Sequence, residues 1–414
     1  MLKSSTLLYS IAILLICGMI IFSLILLAFY HRQDFYENYN RQIVLKNLES
    51  GVNLLLSDDI WNSQEDTLSV DLFNEGKDSA ILKKRMWGLY KLGMVTSFRG
   101  KINYTKVFLA GSQAGKYALY LANQNTPLSL SGLTSIVGDV FIPKRGVKQA
   151  YIEGKSFEGN KLINGAISES ETEIPRLSEK LIEINHKIIN NEYFINISEQ
   201  QLPNRAGTII NSFLHLPLLY RHEGEVILKN IVVRGNIIIQ SSDSIYVDSS
   251  AVLEDVWLIA PVVRIGNSFS GSVQIYATNK IIIDEKSKLN YPSSLCLIVN
   301  EVNKTEKEIV LKRDVVFDGT LLAYSDQQQL IPPSVSLEKG CMFSGYIYVN
   351  GQADIKGSVS GTVICSKIIL KTSASVYENH LLDAIIDRGK LSPDFIVCPL
   401  MINSGKPQIV KWMQ

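Results

Sequence analysis

The first apolar run of the chain, LLYSIAILLICGMIIFSLILLAFY from Leu7 to Tyr30, contains no charged residue. As a helix rising 1.5 Å per residue it would span about 36 Å, against a bilayer core of ~30 Å. Beyond it the pattern turns one-sided: Leu45, Leu48, Val52 and Leu55 recur at helical spacings, with Tyr39 and Ile43 a turn earlier. No proline interrupts residues 7–58, so one helix is predicted to leave the membrane and continue as an amphipathic stalk. Gly51 costs such a helix about 1 kcal/mol. After the stalk the period falls towards two. TLSVDLF, WGLYKLGMVTSF (Trp87 to Phe98), KINYTKVFLAG (Lys101 to Gly111) and KYALYLAN (Lys116 to Asn123) are strand-like runs separated by glycine turns. They predict an antiparallel meander.

A third pattern fills most of the remainder. Steps of six residues from Ile227 reach Val233, Ile239, Ile245, Ala251, Trp257, Val263, Phe269, Ile275 and Ile281, all apolar. Three steps make an eighteen-residue coil, and EVILKN, DSIYVD, PVVRIG and NKIIID begin at Glu225, Asp243, Pro261 and Asn279. This spacing predicts a β-solenoid in which each coil pairs with the next about 4.8 Å along the axis and three apolar ladders face inward. A Phe-x-Gly signature recurs at Phe269, Phe317 and Phe343, and more loosely at Phe157. IVLKRDVVFDGTLLAY (Ile309 to Tyr324) aligns with VSLEKGCMFSGYIYVN (Val335 to Asn350) around two of these copies. Corners need residues that tolerate positive φ or close backbone approach, and Gly235, Gly271, Gly319 and Gly345 are placed for that. Left-handed hexapeptide coils favour a small residue after each aliphatic one. Here those positions hold Leu228, Arg234, Gln240, Tyr246, Val252 and Leu258, which favours a right-handed β-helix.

Coil-like texture begins earlier, from Leu128 to Ile167. It is followed by the acidic linker SESETEIP and an inserted helix over residues 176–191, with Leu177, Leu181, Ile184 and Ile188 on one face and Pro175 near its start. That helix either packs on the solenoid side or docks a partner. NEVNKTEKE (Asn300 to Glu308) and SDQQQLIPP (Ser325 to Pro333) are expected as exposed loops. ENHLLDAIID is expected as a short amphipathic helix that, with the strand-like tail, caps the last coil. The organisation predicted is therefore mainly β: 1–30 transmembrane anchor, 31–60 helical stalk, 61–127 antiparallel section, 128–167 first coils, 168–200 linker and inserted helix, 201–375 solenoid, and 376–414 cap.

Charge adds an exclusion. With 41 basic and 40 acidic residues the net charge is +1, which gives no electrostatic footprint for nucleic acid. The exit LLAFYHRQ is bulky throughout, unlike a signal-peptidase site, so the helix is taken as an uncleaved, single-pass anchor. Ile16 before Cys17 argues against lipoprotein processing. Lys3 on one flank and Arg32, Arg41 and Lys46 on the other leave the side of the membrane open. Five cysteines without a CxxC pair are expected as buried thiols, a single disulfide being the alternative. Five scattered histidines offer no zinc spacing.

The coil surface offers one candidate pair for catalysis. Asp248 and Asp284 fall at equivalent positions two coils apart, about 10 Å along the axis, which is wide for a pair of glycosidic carboxylates. Aspartates after a strand are more often turn formers. GSQAG (Gly111 to Gly115) is not a nucleophile elbow. No catalytic, cofactor-binding or metal residue is placed, no cofactor is expected, and no small-molecule substrate is inferred.

The first 125 or so residues, an apolar helix prolonged into an amphipathic one ahead of an antiparallel sheet, resemble the architecture of type IV pilins and pseudopilins. That family's cleavage motif has no counterpart here, since no acidic residue precedes Asp34. The glycine-punctuated run ADIKGSVSGTVICSKIIL (Ala353 to Leu370) resembles bactofilins, the polymer-forming β-helix proteins, over roughly residues 225–375. The functional expectation is a non-enzymatic, membrane-anchored structural protein of the bacterial cell envelope. It would serve a surface or secretion apparatus through self-assembly or an envelope protein partner, with the bulk of the chain extracytoplasmic. The alternatives are a carbohydrate-binding or carbohydrate-cleaving β-helix and a bactofilin-like scaffold on the cytoplasmic face.

Overall fold

The computed structural model describes residues 2–63, 65–72, 76, 79–195, 197–202, 207–300, 305–327, 329–400 and 405–413. The expected loop over 300–308 therefore lies partly outside the described residues. Internal contacts divide the chain into two units, one formed by residues up to 55 with 63–83 and 94–106, the other by 56–62, 84–93 and 107 onward.

In the first unit, α1 (Leu2–Leu55) is a single unbroken helix. Among the described residues it is the helix long and apolar enough to cross a membrane, and its most apolar window is wholly unburied. Its distal part buries Val44, Leu48, Val52 and Leu55, while Leu45, expected on that stripe, is 40% exposed. Gly51 explains how the helix approaches the strands. A Cβ there would lie 2.7 Å from Val95 Cγ1 and 3.3 Å from Leu82 Cδ2, so the missing side chain admits close packing that offsets its low propensity. Strand β1 (Thr67–Val70) lies wholly in this unit, while β2 (Ser79–Trp87), β3 (Tyr90–Arg99) and β4 (Ile102–Gln113) each contribute residues to both units, and the sheet order is β1-β2-β3-β4. Strands β1 and β2 are antiparallel with Thr67 opposite Lys83, and Thr96 and Thr105 hydroxyls meet at 2.9 Å.

The second unit is dominated by parallel pairing. Ile245 pairs with Val263 and Val263 with Ile281, the predicted spacing of eighteen. The same position continues through Ile309, Val335, Ala353 and Ile368. One continuous apolar core follows these strands, and it contains Ile239, Ile245, Ala251, Val263, Phe269, Ile275 and Ile281. Two expected members fall outside it. Val226, not Ile227, pairs with Ile245, so this turn of chain is one residue longer and Ile227 points outward, 58% exposed. A one-residue slip moves a side chain to the other face. Trp257 leaves the interior for a similar reason. The register shifts between Glu254 and Val256, with Asp255 at φ 57°, and Val256 and Leu258 take the inward positions.

The Phe-x-Gly signature is a stacking device. Gly319, Gly345 and Gly361 lie in register at φ 151°, 136° and 150°. A Cβ on Gly345 would sit 1.9 Å from the carbonyl oxygen of Gly319, and one on Gly361 1.9 Å from that of Gly345. Only glycine fits a corner where backbone lies directly on backbone. Two residues earlier, the rings of Phe317 and Phe343 stack at 5.1 Å and 5° inside the core.

The order along the ladder is not the order along the chain. The run KYALYLAN, expected in the antiparallel meander, forms β5 (Tyr117–Leu121), which pairs parallel with Val363–Cys365 and with the strand Asp139–Ile142. Ser129 pairs with His380 and Ser135 with Ile385. The early coil-like segment thus stacks on the last strands. ENHLLDAIID is strand, not helix: His380–Leu382 and Ile385–Asp387 supply Leu381 and Ile386 to the core. Asn379 and Asp383, at φ 54° and 55°, break any helical continuation, and a run this short cannot be told apart by periodicity. The tail strands Ile396–Val397 and Gln408–Met413 pair antiparallel with β4. Cys296, Cys341, Cys365 and Cys398 are buried free thiols, while Cys17 on α1 is exposed.

Candidate functional site

One outward face of the ladder is covered by the protein's own chain. The inserted helix α2 (Glu179–Ile189) buries Leu181, Asn185 and Ile188. Asn185 receives the Tyr276 hydroxyl on Oδ1 at 3.0 Å and donates from Nδ2 to the Tyr324 hydroxyl at 3.2 Å. Burial holds both phenols well above their ordinary range. Tyr348 donates to the Pro175 carbonyl at 2.8 Å, just before the helix. Beside them Trp257 sits edge-on to Trp87, Phe194 and Tyr276, with ring separations of 5.6, 5.5 and 5.3 Å. Aromatic pairs in such geometry add to ordinary area burial. The inserted helix is therefore spent on packing against the ladder.

The two aspartates considered for catalysis are both engaged. Asp248 accepts from the backbone N–H and hydroxyl of Ser250 at 3.0 and 2.6 Å, a turn-forming role. Asp284 is buried between Arg264 Nε at 2.7 Å and Lys312 Nζ at 2.8 Å. Burial alone would raise the Asp284 carboxyl, and these two cations together bring it below its usual range. Backbone bonds from Asp248 to Leu228, Gly266 to Val247 and Asp284 to Ile265 place them two layers apart, as the sequence implied.

Lysines gather at the end of the short helix Asp58–Asn62. Lys84 donates to the Ile60 carbonyl and Lys91 to that of Trp61 at 3.2 Å, with the Lys91 ammonium 5.2 Å from the Trp61 ring centre. Burial, then the charges of Lys180 and Lys84, push Lys91 down to about 8. Lys91 and Lys180 line a cavity of about 230 Å³. The helix-end carbonyls account for this gathering, since cations favour a helix C-terminus.

Among the described residues, a neighbouring outward face carries no helix. Its strands Glu308–Leu311 and Ser334–Leu337, with the end of Met342–Ile355, carry a charged depression of about 480 Å³. A second depression of about 460 Å³ adjoins it and shares Gln352.

No family model matches the chain, and no curated protein matches it. Among solved structures, the competence-associated pilin ComZ from Thermus thermophilus aligns over 90% of this chain and 96% of its own, at 9% identity and a TM-score of 0.21. A score that low carries no argument about this fold.

The depression was not legible in the sequence. Its residues come from successive layers, and each is an ordinary charged or polar residue in its own segment. The one available signal was the alternation itself. Once Ile309, Val335 and Ala353 are placed inside, Val310, Ser336 and Asp354 must share the outer face.

Proposed function

We propose that the protein is a membrane-anchored β-solenoid serving as a structural or assembly component of the bacterial cell envelope, without enzymatic activity. The observation that carries this reading is the continuous parallel ladder, filled by one apolar core, on a chain that begins with α1. A stack of this kind offers long, regular surfaces and has no need of a buried reaction centre. A right-handed coil, favoured by the bulky residues after each aliphatic position, belongs to this proposal. So does a pilin-like role for α1 and its sheet, which rests on their architecture. Among the described residues the strands at each end of the ladder pair on one side only: Thr208–Asn211 at one end, Ile167–Glu169 at the other. Ile210 and Ile167 are exposed there at 65% and 54%. Unpaired edges with exposed apolar residues favour self-association or a partner strand.

The test is in-cell labelling with a membrane-impermeant, amine-reactive crosslinker, followed by purification and mass spectrometry. Modified lysines beyond residue 31 in intact cells, with homo-oligomer ladders or crosslinks to one envelope protein, are expected. Labelling that appears only after lysis would overturn the extracytoplasmic assignment and favour the cytoplasmic, bactofilin-like scaffold.

A further inference from the structure

Two ammonium groups meet on one acceptor at the edge of a cavity. Lys84 and Lys91 both donate to the Trp61 carbonyl, at 3.4 and 3.2 Å, and the half-buried Lys91 ammonium also lies over the Trp61 ring. Helix-end carbonyls explain why the two gather, but a carbonyl does not neutralise a cation. Among the described residues no carboxylate forms an ion pair with Lys91. Lys180, from the inserted helix α2, lines the same cavity of about 230 Å³. Burial and cationic neighbours both disfavour the charged form of an amine. They hold Lys91 down to about 8. At pH 7.4 it is then neutral more than about a hundredfold more often than an ordinary lysine.

The amine and the cavity walls together select a ligand class. A neutral amine beside a second cation is the form in which lysine attacks a carbonyl carbon. Lys180 supplies that second cation, and Trp61, Leu181 and Ile184 leave an apolar wall for a short tail. Asp58, the one carboxylate among the described lining residues, disfavours a multiply charged anion. A small 2-oxo carboxylate meets these conditions at once. Its carbonyl carbon faces the Lys91 nitrogen, its single carboxylate faces the Lys180 ammonium, and its remainder is compact enough for the space.

We propose that Lys91 captures a small 2-oxo carboxylate as an imine in this cavity, with the carboxylate held by Lys180. The Lys91 nitrogen adds to the carbonyl carbon, the C–O bond breaks, and the oxygen leaves as water with both amine protons, so that C=N replaces C=O. The step consumes no oxidant or reductant and asks no turnover of the protein. It is also independent of the envelope role, and either can fail without the other. The full chain in lipid nanodiscs would be incubated with pyruvate and cyanoborohydride, which reduces the imine to a stable secondary amine, and then mapped by peptide mass spectrometry. At pH 7.4 Lys91 is expected to be alkylated at least about tenfold faster than Lys101 and Lys144, both exposed. That preference should be smaller with acetone, which lacks the carboxylate, and smaller with pyruvate in Lys180→Gln. It should also shrink as pH rises through about 10, where ordinary lysines lose their protons too. Alkylation of Lys91 no faster than that of Lys101, an equal preference with acetone, or an undiminished one in Lys180→Gln would each overturn the proposal.

Discussion

Gly345→Ala is expected to destabilise the ladder by about 2–5 kcal/mol, combining the cost of a non-glycine residue in left-handed backbone with that of overpacking. Its φ of 136° is one that L residues rarely adopt, and the new methyl would stand 1.9 Å from the Gly319 carbonyl oxygen. No side-chain rotation relieves that contact, because the obstacle is backbone. The layers must separate locally, and the pairing of Gly345 with Gly319 and Gly361 on either side is strained at once. Against a typical total of 5–15 kcal/mol, such a loss is large. The urea midpoint of the detergent-solubilised protein, followed by tryptophan emission, measures it. Gly405→Ala, where nothing lies within 4 Å, should shift the midpoint hardly at all. Equal, small shifts in both variants would contradict the backbone-on-backbone corner.

Trp257→Ala is the second large effect, about 3–5 kcal/mol as for other fully buried aromatic truncations. Its consequence is directional. The ring contacts Trp87, Phe194 and Tyr276 on the covered face, so its loss should loosen the segment that lies over the ladder before the ladder itself. Amide exchange within Glu179–Ile189 is expected to accelerate more than exchange within Lys280–Ile283. Trp257→Phe should recover a good part of both. Uniform acceleration would mean that Trp257 belongs to the inner core, where the six-residue stepping had placed it.

That misplacement shows what a sequence of this kind reveals and what it hides. The membrane-length helix was legible because its signal is local and uninterrupted. The eighteen-residue repeat was legible from Ile245 to Ile281, where every turn has the same length. It failed at Ile227 and Trp257, where one extra residue or one bulge inverts the alternation without changing composition. The glycine of Phe-x-Gly was readable as a corner, whereas its direct stacking on the glycine of the layer before required the register. Least legible was the stacking order. Pairing between Ser135 and Ile385 leaves no trace in local periodicity, because parallel partners are chosen by tertiary packing and are separated by most of the chain. For the same reason the Asp354 depression, assembled from several layers, could not be seen as a cluster.

The stacking of the early segment on the last strands is also where the solenoid account is most exposed to test. Ser135→Cys with Ile385→Cys places two thiols at paired positions, where parallel strands lie about 4.8 Å apart, inside the 4.4–6.8 Å range of Cα separations that disulfides span. Mild oxidation of the purified full chain, read as a mobility shift that reductant reverses, is the decisive measurement. One continuous solenoid predicts near-complete crosslinking of this pair, matched by Ser244→Cys with Val262→Cys within the regular repeat, and none for Ser135→Cys with Lys229→Cys. Efficient bonding of the regular pair without any bond between positions 135 and 385 would contradict the single stack and leave two separate β segments in its place.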